Sequence, residues 1–236
     1  GSAGNIIRHN VIHDTNYPGI ITYGTVGNGP PNVIEGNLIW NSNDNGIQSA
    51  ADSIIRNNIV IGAPIALQAH QAGSPSNQQV VHNTVITQGS GINVRNVSGP
   101  VLIANNAVYS ESRTAIRLIS GDTRQVTVAG NVGYGGISGA SGGYREGNGL
   151  DTDFVDAHFN GAPPIDLFPD ENSSLIGNGD DDYVIELDFN GTARDGNADA
   201  GAYRFDPGGN PGWVLAAEFK SANARRPVIP TDMRTR

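Results

Sequence analysis

The sequence predicts an all-β chain: a right-handed parallel β-helix of about six coils, followed by an irregular C-terminal capping segment. An Asn followed by two mostly apolar residues recurs at Asn10, Asn37, Asn58, Asn83, Asn106 and Asn131. Three apolar marks surround these Asn residues at constant phase, with a single break. The composition also favours short strands and tight turns: Gly occurs 32 times, Asn recurs throughout, and no long amphipathic pattern is present.

Each coil reads in the same order. Three residues before the repeated Asn stand Ile7, Ile34, Ile55, Val80, Ile103 and Val128. Two residues after it stand Ile12, Ile39, Val60, Val85 and Val108, with Gly133 breaking the column. Further on, after a small residue or Pro, come Ile20, Ile47, Ile65, Ile92, Ile116 and Ile137. Three marks per coil imply three short strands, each turning one apolar residue inward. One coil cannot bury that face alone, but stacked coils bury it continuously. At about 4.8 Å per coil, six coils span roughly 29 Å. The repeated Asn is expected at a bend, in the left-handed region, with its amide bonded to the Asn of the next coil. A β-sandwich also repeats strands, but does not require one residue type at one phase six times. A left-handed helix of coils would show strict hexapeptides, and none occur.

Other columns follow from this alignment. Arg8, Glu35 and Arg56 share a phase and should alternate in charge up the stack. His13, Trp40, Ile61, Ile86, Tyr109 and Tyr134 share another, which reads as a stacking surface or, if exposed, a platform for sugar rings. Ile55 and Ile103 are expected to be fully buried.

The runs Gly4–Asp14 (GNIIRHNVIHD) and Ile54–Ile61 (IIRNNIVI) resemble the coils of the pectin-lyase-like β-helix superfamily. Further on come Asp151–Asp156 (DTDFVD), Ser174–Asp180 (SLIGNGD), Asp188–Gly191 (DFNG) and Asp199–Tyr203 (DAGAY). They resemble, in order and spacing, the closing segment of secreted bacterial β-helix proteins, which commonly reads D-P-x-F-x-D, S-P-A-I-D-x-G, D-x-x-G-x-x-R and D-I-G-A-Y-E. Gly177 stands where that pattern has Asp, and Arg204 where it has Glu. The resemblance implies an extracellular or cell-surface, secreted bacterial protein in contact with carbohydrate; it does not fix a reaction.

Three regions are expected: coils over 1–139, a Gly-rich connector and closing segment over 140–206, and an extension over 207–236 that packs at first and is then mobile. In that extension Trp213, Val214, Leu215 and Phe219 are candidates to lie back along the rod. The coil pattern begins with the first residues, so further N-terminal coils are expected. A formal net charge of −9 argues against nucleic acid, the absence of Cys excludes disulfides and thiolate metal sites, and no apolar run is long enough to span a membrane.

The expected partner is a polysaccharide, anionic or neutral, lying along the strands that start at Ile20, Ile47, Ile65, Ile92 and Ile116. Alternate residues there should face outward: Ile21, Tyr23, Gln48, Gln68, His70, Asn93, Arg95, Arg117 and Ile119. Tyr23, Gln48, Gln68 and Asn93 are the candidate substrate-binding residues. Arg95 and Arg117, on neighbouring coils, repel unless an anion lies between them; either a uronate or sulfate group fills that role, or Glu111 or Asp122 neutralises them.

As a polysaccharide lyase the chain would use His70 as base with Arg95 or Arg117 neutralising the adjacent carboxylate. Many β-helix lyases resemble one another in using Lys or Arg as base and Ca²⁺ as neutraliser; the coils hold no Lys, and the assigned face shows no acidic cluster. As a glycoside hydrolase it needs two carboxyl groups, with Asp14, Asp44, Asp52 and Glu111 as candidates. A non-catalytic glycan-binding, adhesive or structural module is the alternative. His9, His13 and Asp14 read as an acid–base or metal cluster, or as packing. Asp195, Asn197 and Asp199 alternate oxygen ligands as Ca²⁺ loops do, but Asp206 stands where such a loop has its bidentate Glu; a structural turn is the other reading. No metal ligands are assigned.

Overall fold

The computed structural model describes residues 3–69, 74–159 and 161–217. It is a parallel β-solenoid whose three sheets hold six, seven and six strands. Sheet A contains Ile6–Arg8, Asn32–Glu35, Ser53–Arg56, Gln78–Val81, Val101–Ala104 and Val126–Ala129. Sheet B contains Val11–Thr15, Leu38–Ser42, Ile59–Ile61, Thr84–Thr87, Ala107–Ser110, Asn131–Tyr134 and Tyr144–Glu146. Sheet C contains Ile20–Thr22, Ile47–Ser49, Ile65–Leu67, Ile92–Val94, Ile116–Leu118 and Ile137–Ser138.

The three apolar columns are the register of these sheets. Ile7, Ile34, Ile55, Val80, Ile103 and Val128 pair in succession in sheet A. Ile12, Ile39, Val60, Val85, Val108 and Gly133 do so in sheet B, and Ile20, Ile47, Ile65, Ile92, Ile116 and Ile137 in sheet C. Their side chains form the interior, where Ile34, Ile55, Val80 and Ile103 are fully buried. Each such side chain contributes about 1.5–3 kcal/mol. The break at Gly133 has a steric cause: a Cβ there would stand 1.8 Å from the Val108 carbonyl oxygen.

The repeated Asn forms a ladder, but not in the conformation expected of it. Its Nδ2 donates to the Oδ1 of the Asn one rung on, at 2.9, 2.9, 2.9, 3.0 and 2.8 Å. The left-handed residue is the one before it: His9, Gly36, Asn57, His82, Asn105 and Gly130 all have φ between 51° and 63°. That residue makes the bend, and the ladder Asn then turns inward. There its amide also reaches main-chain carbonyls such as those of Ile34, Ile55 and Val80. Buried amides with these bonds filled are cheap to enclose and costly to lose.

The strand Tyr144–Glu146 pairs with Asn131–Gly133, carrying sheet B into the stretch expected to be a connector. The closing segment then does more than cover an end. It packs along the outer face of sheet B, where Leu38, Trp40, Ile59, Ile61, Ile86 and Tyr109 meet Leu150, Phe154, Phe168, Leu175, Phe189 and Tyr203. The column through Trp40, Ile61, Ile86 and Tyr109 is therefore a packing surface and is not open to sugar rings. Leu215 is buried and Trp213 stacks on Phe189, while Val214 is exposed. Phe219 and the tail expected to be mobile lie outside the described residues.

Candidate functional site: an arginine recess on sheet C

With sheet B covered, sheet C supplies the outward positions that carry free charge. The first and third residues of each strand from Ile20–Thr22 to Ile116–Leu118 point inward and are buried. The middle residues run Ile21, Gln48, Ala66, Asn93, Arg117 and Ser138 in register. Ile21, Arg117 and Ser138 are exposed and Asn93 is half-buried. Tyr23 and Arg95, just past their strands, are exposed; Gln68 and Ile119 are half-buried.

Gln48 departs from the expected outward, exposed set, with 2% of its surface accessible. Asn45 from the preceding turn donates to its Oε1 at 2.9 Å, and Gln68 from the next rung reaches it at 3.5 Å. These amides fold over Gln48 because the neighbouring rung offers only Ala66 to hold them off. His70 lies outside the described residues.

Asn93 and Arg117 are paired across the sheet, so Arg95 stands one rung and two residues from Arg117, about 8 Å at the backbone. Both line a recess of about 350 Å³ with Asn93, Thr87, Ser90 and Arg113. The recess lies at the corner between sheets B and C, where Gly62 and Gly89 leave its wall open. Thr87 Oγ1 accepts the Gly89 N–H at 3.1 Å, so its own hydrogen remains free to donate. Arg113 is absent from the sequence reading. It sits in the turn between Ala107–Ser110 and Ile116–Leu118, and turns of varying length carry no phase to align.

No carboxylate among the described residues forms an ion pair with Arg95, Arg113 or Arg117, although the chain is acidic overall. Asp122, one of the expected neutralisers, instead holds Arg124 at 2.8 and 3.2 Å. Elsewhere Arg8 and Arg56 flank Glu35, and Arg145 bonds Asn178.

The remaining candidates are dispersed. Asp14 lies in the strand Val11–Thr15 and Glu111 just follows Ala107–Ser110, so the two stand four rungs of sheet B apart, roughly 19 Å. The buried Asp52 holds the Gly27 N–H and the Asn77 amide. His13 stacks on Trp40 at 4.4 Å and bonds Asp14 at 2.7 Å. Both oxygens of Asp199 accept backbone N–H groups, from Gly177 and Phe205, and Asn197 turns its amide to the Arg194 carbonyl. The Asp195–Asp199 run thus serves as a turn. A larger recess of about 500 Å³ lies between residues 185–193 and the Arg8–Glu35–Arg56 column, whose charges already pair.

A family model described as periplasmic copper-binding protein (NosD) matches residues 1–132. The match spans the rungs down to the start of Asn131–Tyr134 and ends before the closing segment. The chain belongs to the NosD family. It is thus a β-helix protein of a periplasmic family, and the NosD match includes every residue of the arginine recess. No curated protein and no solved structure matches the chain. No helix among the described residues is long and apolar enough to cross a membrane.

Proposed function

We propose that this NosD-family chain binds an anionic polysaccharide along sheet C. The observation that carries the reading is the recess shared by Arg95, Arg113 and Arg117, with no neutralising carboxylate among the described residues. Guanidinium forks match carboxylate and sulfate oxygens, while the amides of Asn93 and Gln68 and the ring of Tyr23 suit sugar hydroxyls and faces.

Copper, named in the family description, does not suit the residues present. Cys is absent, the one Met is Met233 outside the described residues, and no group of three His, Cys, Asp or Glu side chains gathers among the described residues. Copper sites draw on such sulfur and imidazole ligands.

Binding without turnover is the better supported form. The recess is lined by no carboxyl group and no His, so acid–base chemistry would fall to His70 or to one of the arginines. Calorimetric titration of a uronate oligomer and a neutral oligomer tests the reading. Arg95→Ala and Arg117→Ala should each weaken the uronate oligomer several-fold or more and leave the neutral one unchanged. Equal uronate affinity in wild type and both variants would remove the site. Ultraviolet absorbance from unsaturated ends, read in the same mixtures, would show lyase turnover and bring the catalytic reading back.

A further inference from the structure

We infer that the recess is a subsite for a tetrahedral oxyanion ester, sulfate or phosphate, carried on a sugar, with Arg113 as the residue that selects it over a carboxylate. The inference rests on the proposed binding of an anionic polysaccharide and concerns which anion is bound.

The three arginines approach the recess from different directions. Arg95 stands beyond the end of Ile92–Val94, Arg117 at the middle of the next strand, and Arg113 in the turn that enters that strand. Arg95 and Arg117 alone would suffice for a carboxylate. Its four lone-pair sites lie in one plane; one fork takes two of them, and a second guanidinium takes one of the others. A third guanidinium arriving from the opposite end of the strands is left at most a single bond to it. A tetrahedral ester presents three terminal oxygens in three directions, one for each fork. The hydroxyl hydrogen of Thr87, left free by the Gly89 N–H, is a further donor on the same wall.

Charge favours the phosphate member of this class. Three guanidinium groups share a recess with no carboxylate among its lining residues. One uronate, or one sulfate ester, leaves two of the three charges uncompensated. A phosphate monoester, or a sugar bearing a sulfate beside another acidic group, compensates more. The rest of the molecule is acidic, so an anion is held here by the local guanidinium field, and binding should weaken with salt.

The test compares four oligomers of equal length by calorimetry: dextran sulfate, phosphorylated dextran, a uronate oligomer and neutral dextran. Wild type should bind one or both ester oligomers more tightly than the uronate. Arg113→Ala should weaken the ester oligomer about tenfold or more and the uronate by much less. Arg113→Lys, which keeps the charge but not the fork, should recover only part of the loss. Arg113 is exposed, and among the described residues it is held through its backbone N–H, which donates to Ser110 Oγ, so an unchanged melting temperature controls for folding. If Arg113→Ala leaves ester binding intact, or weakens ester and uronate equally, the selectivity is overturned while the anionic-glycan reading stands through Arg95 and Arg117. If wild type binds none of the three anionic oligomers, both fall.

Discussion

The Nδ2 of Asn105 lies 3.2 Å from the Nε2 of His82 one rung before it, in a buried corner under the closing segment. The orientation of the Asn105 amide is fixed from outside: its Oδ1 accepts the Asp180 N–H at 2.7 Å and its Nδ2 donates to the Asp180 carbonyl at 3.0 Å. The second Nδ2 hydrogen therefore points at His82, and Nε2 must be an acceptor. The imidazole is neutral, with its proton on Nδ1.

The burial of His82 makes stability depend on pH. Burial, and then the Arg194 guanidinium, hold His82 well below the usual imidazole range, while the backbone at Gly201, Asp199 and Tyr183 partly opposes them. The unfolded chain takes up a proton near pH 6.5 and the native chain does not. Stability from this group is thus complete above about 6.5 and falls as the pH drops below it, by up to about 1.4 kcal/mol per pH unit. Urea unfolding at about pH 7 and pH 5 measures the slope. His82→Asn, which tolerates the left-handed φ of 52°, should flatten it. An unchanged slope in that variant would assign the acid sensitivity to other groups.

Glu35 sits between two arginines on adjacent rungs, 3.8 Å from Arg8 and 2.7 Å from Arg56. Reversing its charge in Glu35→Lys removes both attractions and stacks three cations at one-rung spacing. Such pairs at the surface are worth about 0.2–1 kcal/mol each, so the loss should be on the order of 1 kcal/mol at low salt. In about 1 M salt, with a screening length near 3 Å, much of it should vanish. A melting temperature equal to wild type at low salt would mean that the column contributes nothing.

Ile55 and Ile103 occupy equivalent interior positions two rungs apart and are both fully buried. Truncation of either to Ala should cost about 2–5 kcal/mol, measured by denaturant midpoints. Because each lies between rungs on both sides, the surroundings have little room to collapse. A loss well under that range at both sites would show a looser interior than these contacts describe.

The columns were legible in the sequence because inward residues repeat at constant phase whatever the turns between them do. Ile34, Ile55, Val80 and Ile103 fall in register for that reason. What lies in the turns was not. Asn57 and Asn105, left-handed in the structure, sit beside the ladder residues Asn58 and Asn106, and composition cannot say which of two adjacent Asn bends the chain. Arg113 reaches the recess from a turn with no equivalent in the repeat. Gln48 has the outward phase, yet it is buried by Asn45 and Gln68, whose paths depend on turn length. The aromatic column gave Trp40 and Tyr109 a shared surface but not the segment that covers it. That segment's own motif was readable: Asp188 and Arg194 match the D-x-x-G-x-x-R spacing, and both prove to be structural.

Arg194 gives the sharpest test of how that segment is held. It is fully buried, and burial draws its guanidinium down to about 10 against the opposing effects of Asp188 and Asp199. Nη2 donates to Asn57 Oδ1 at 3.2 Å on the third rung and to the Gly201 and Ala202 carbonyls at 2.9 and 3.1 Å. Nη1 donates to the carbonyls of Asp199 and Tyr203, both at 3.3 Å. One planar group thus closes the loop on itself and ties it to the solenoid. A lysine ammonium has three hydrogens and no fork, so Arg194→Lys leaves carbonyls unpaired in a dry site. The cost should be on the order of 3 kcal/mol. It should also be local: amide hydrogen exchange should rise across residues 186–203 well before it rises at Val85 or Val108 in the rungs. Uniform acceleration of both regions would mean that the closing segment and the coils unfold as one unit, and unchanged exchange would mean that the apolar contacts of Phe189 and Tyr203 hold the segment without the arginine.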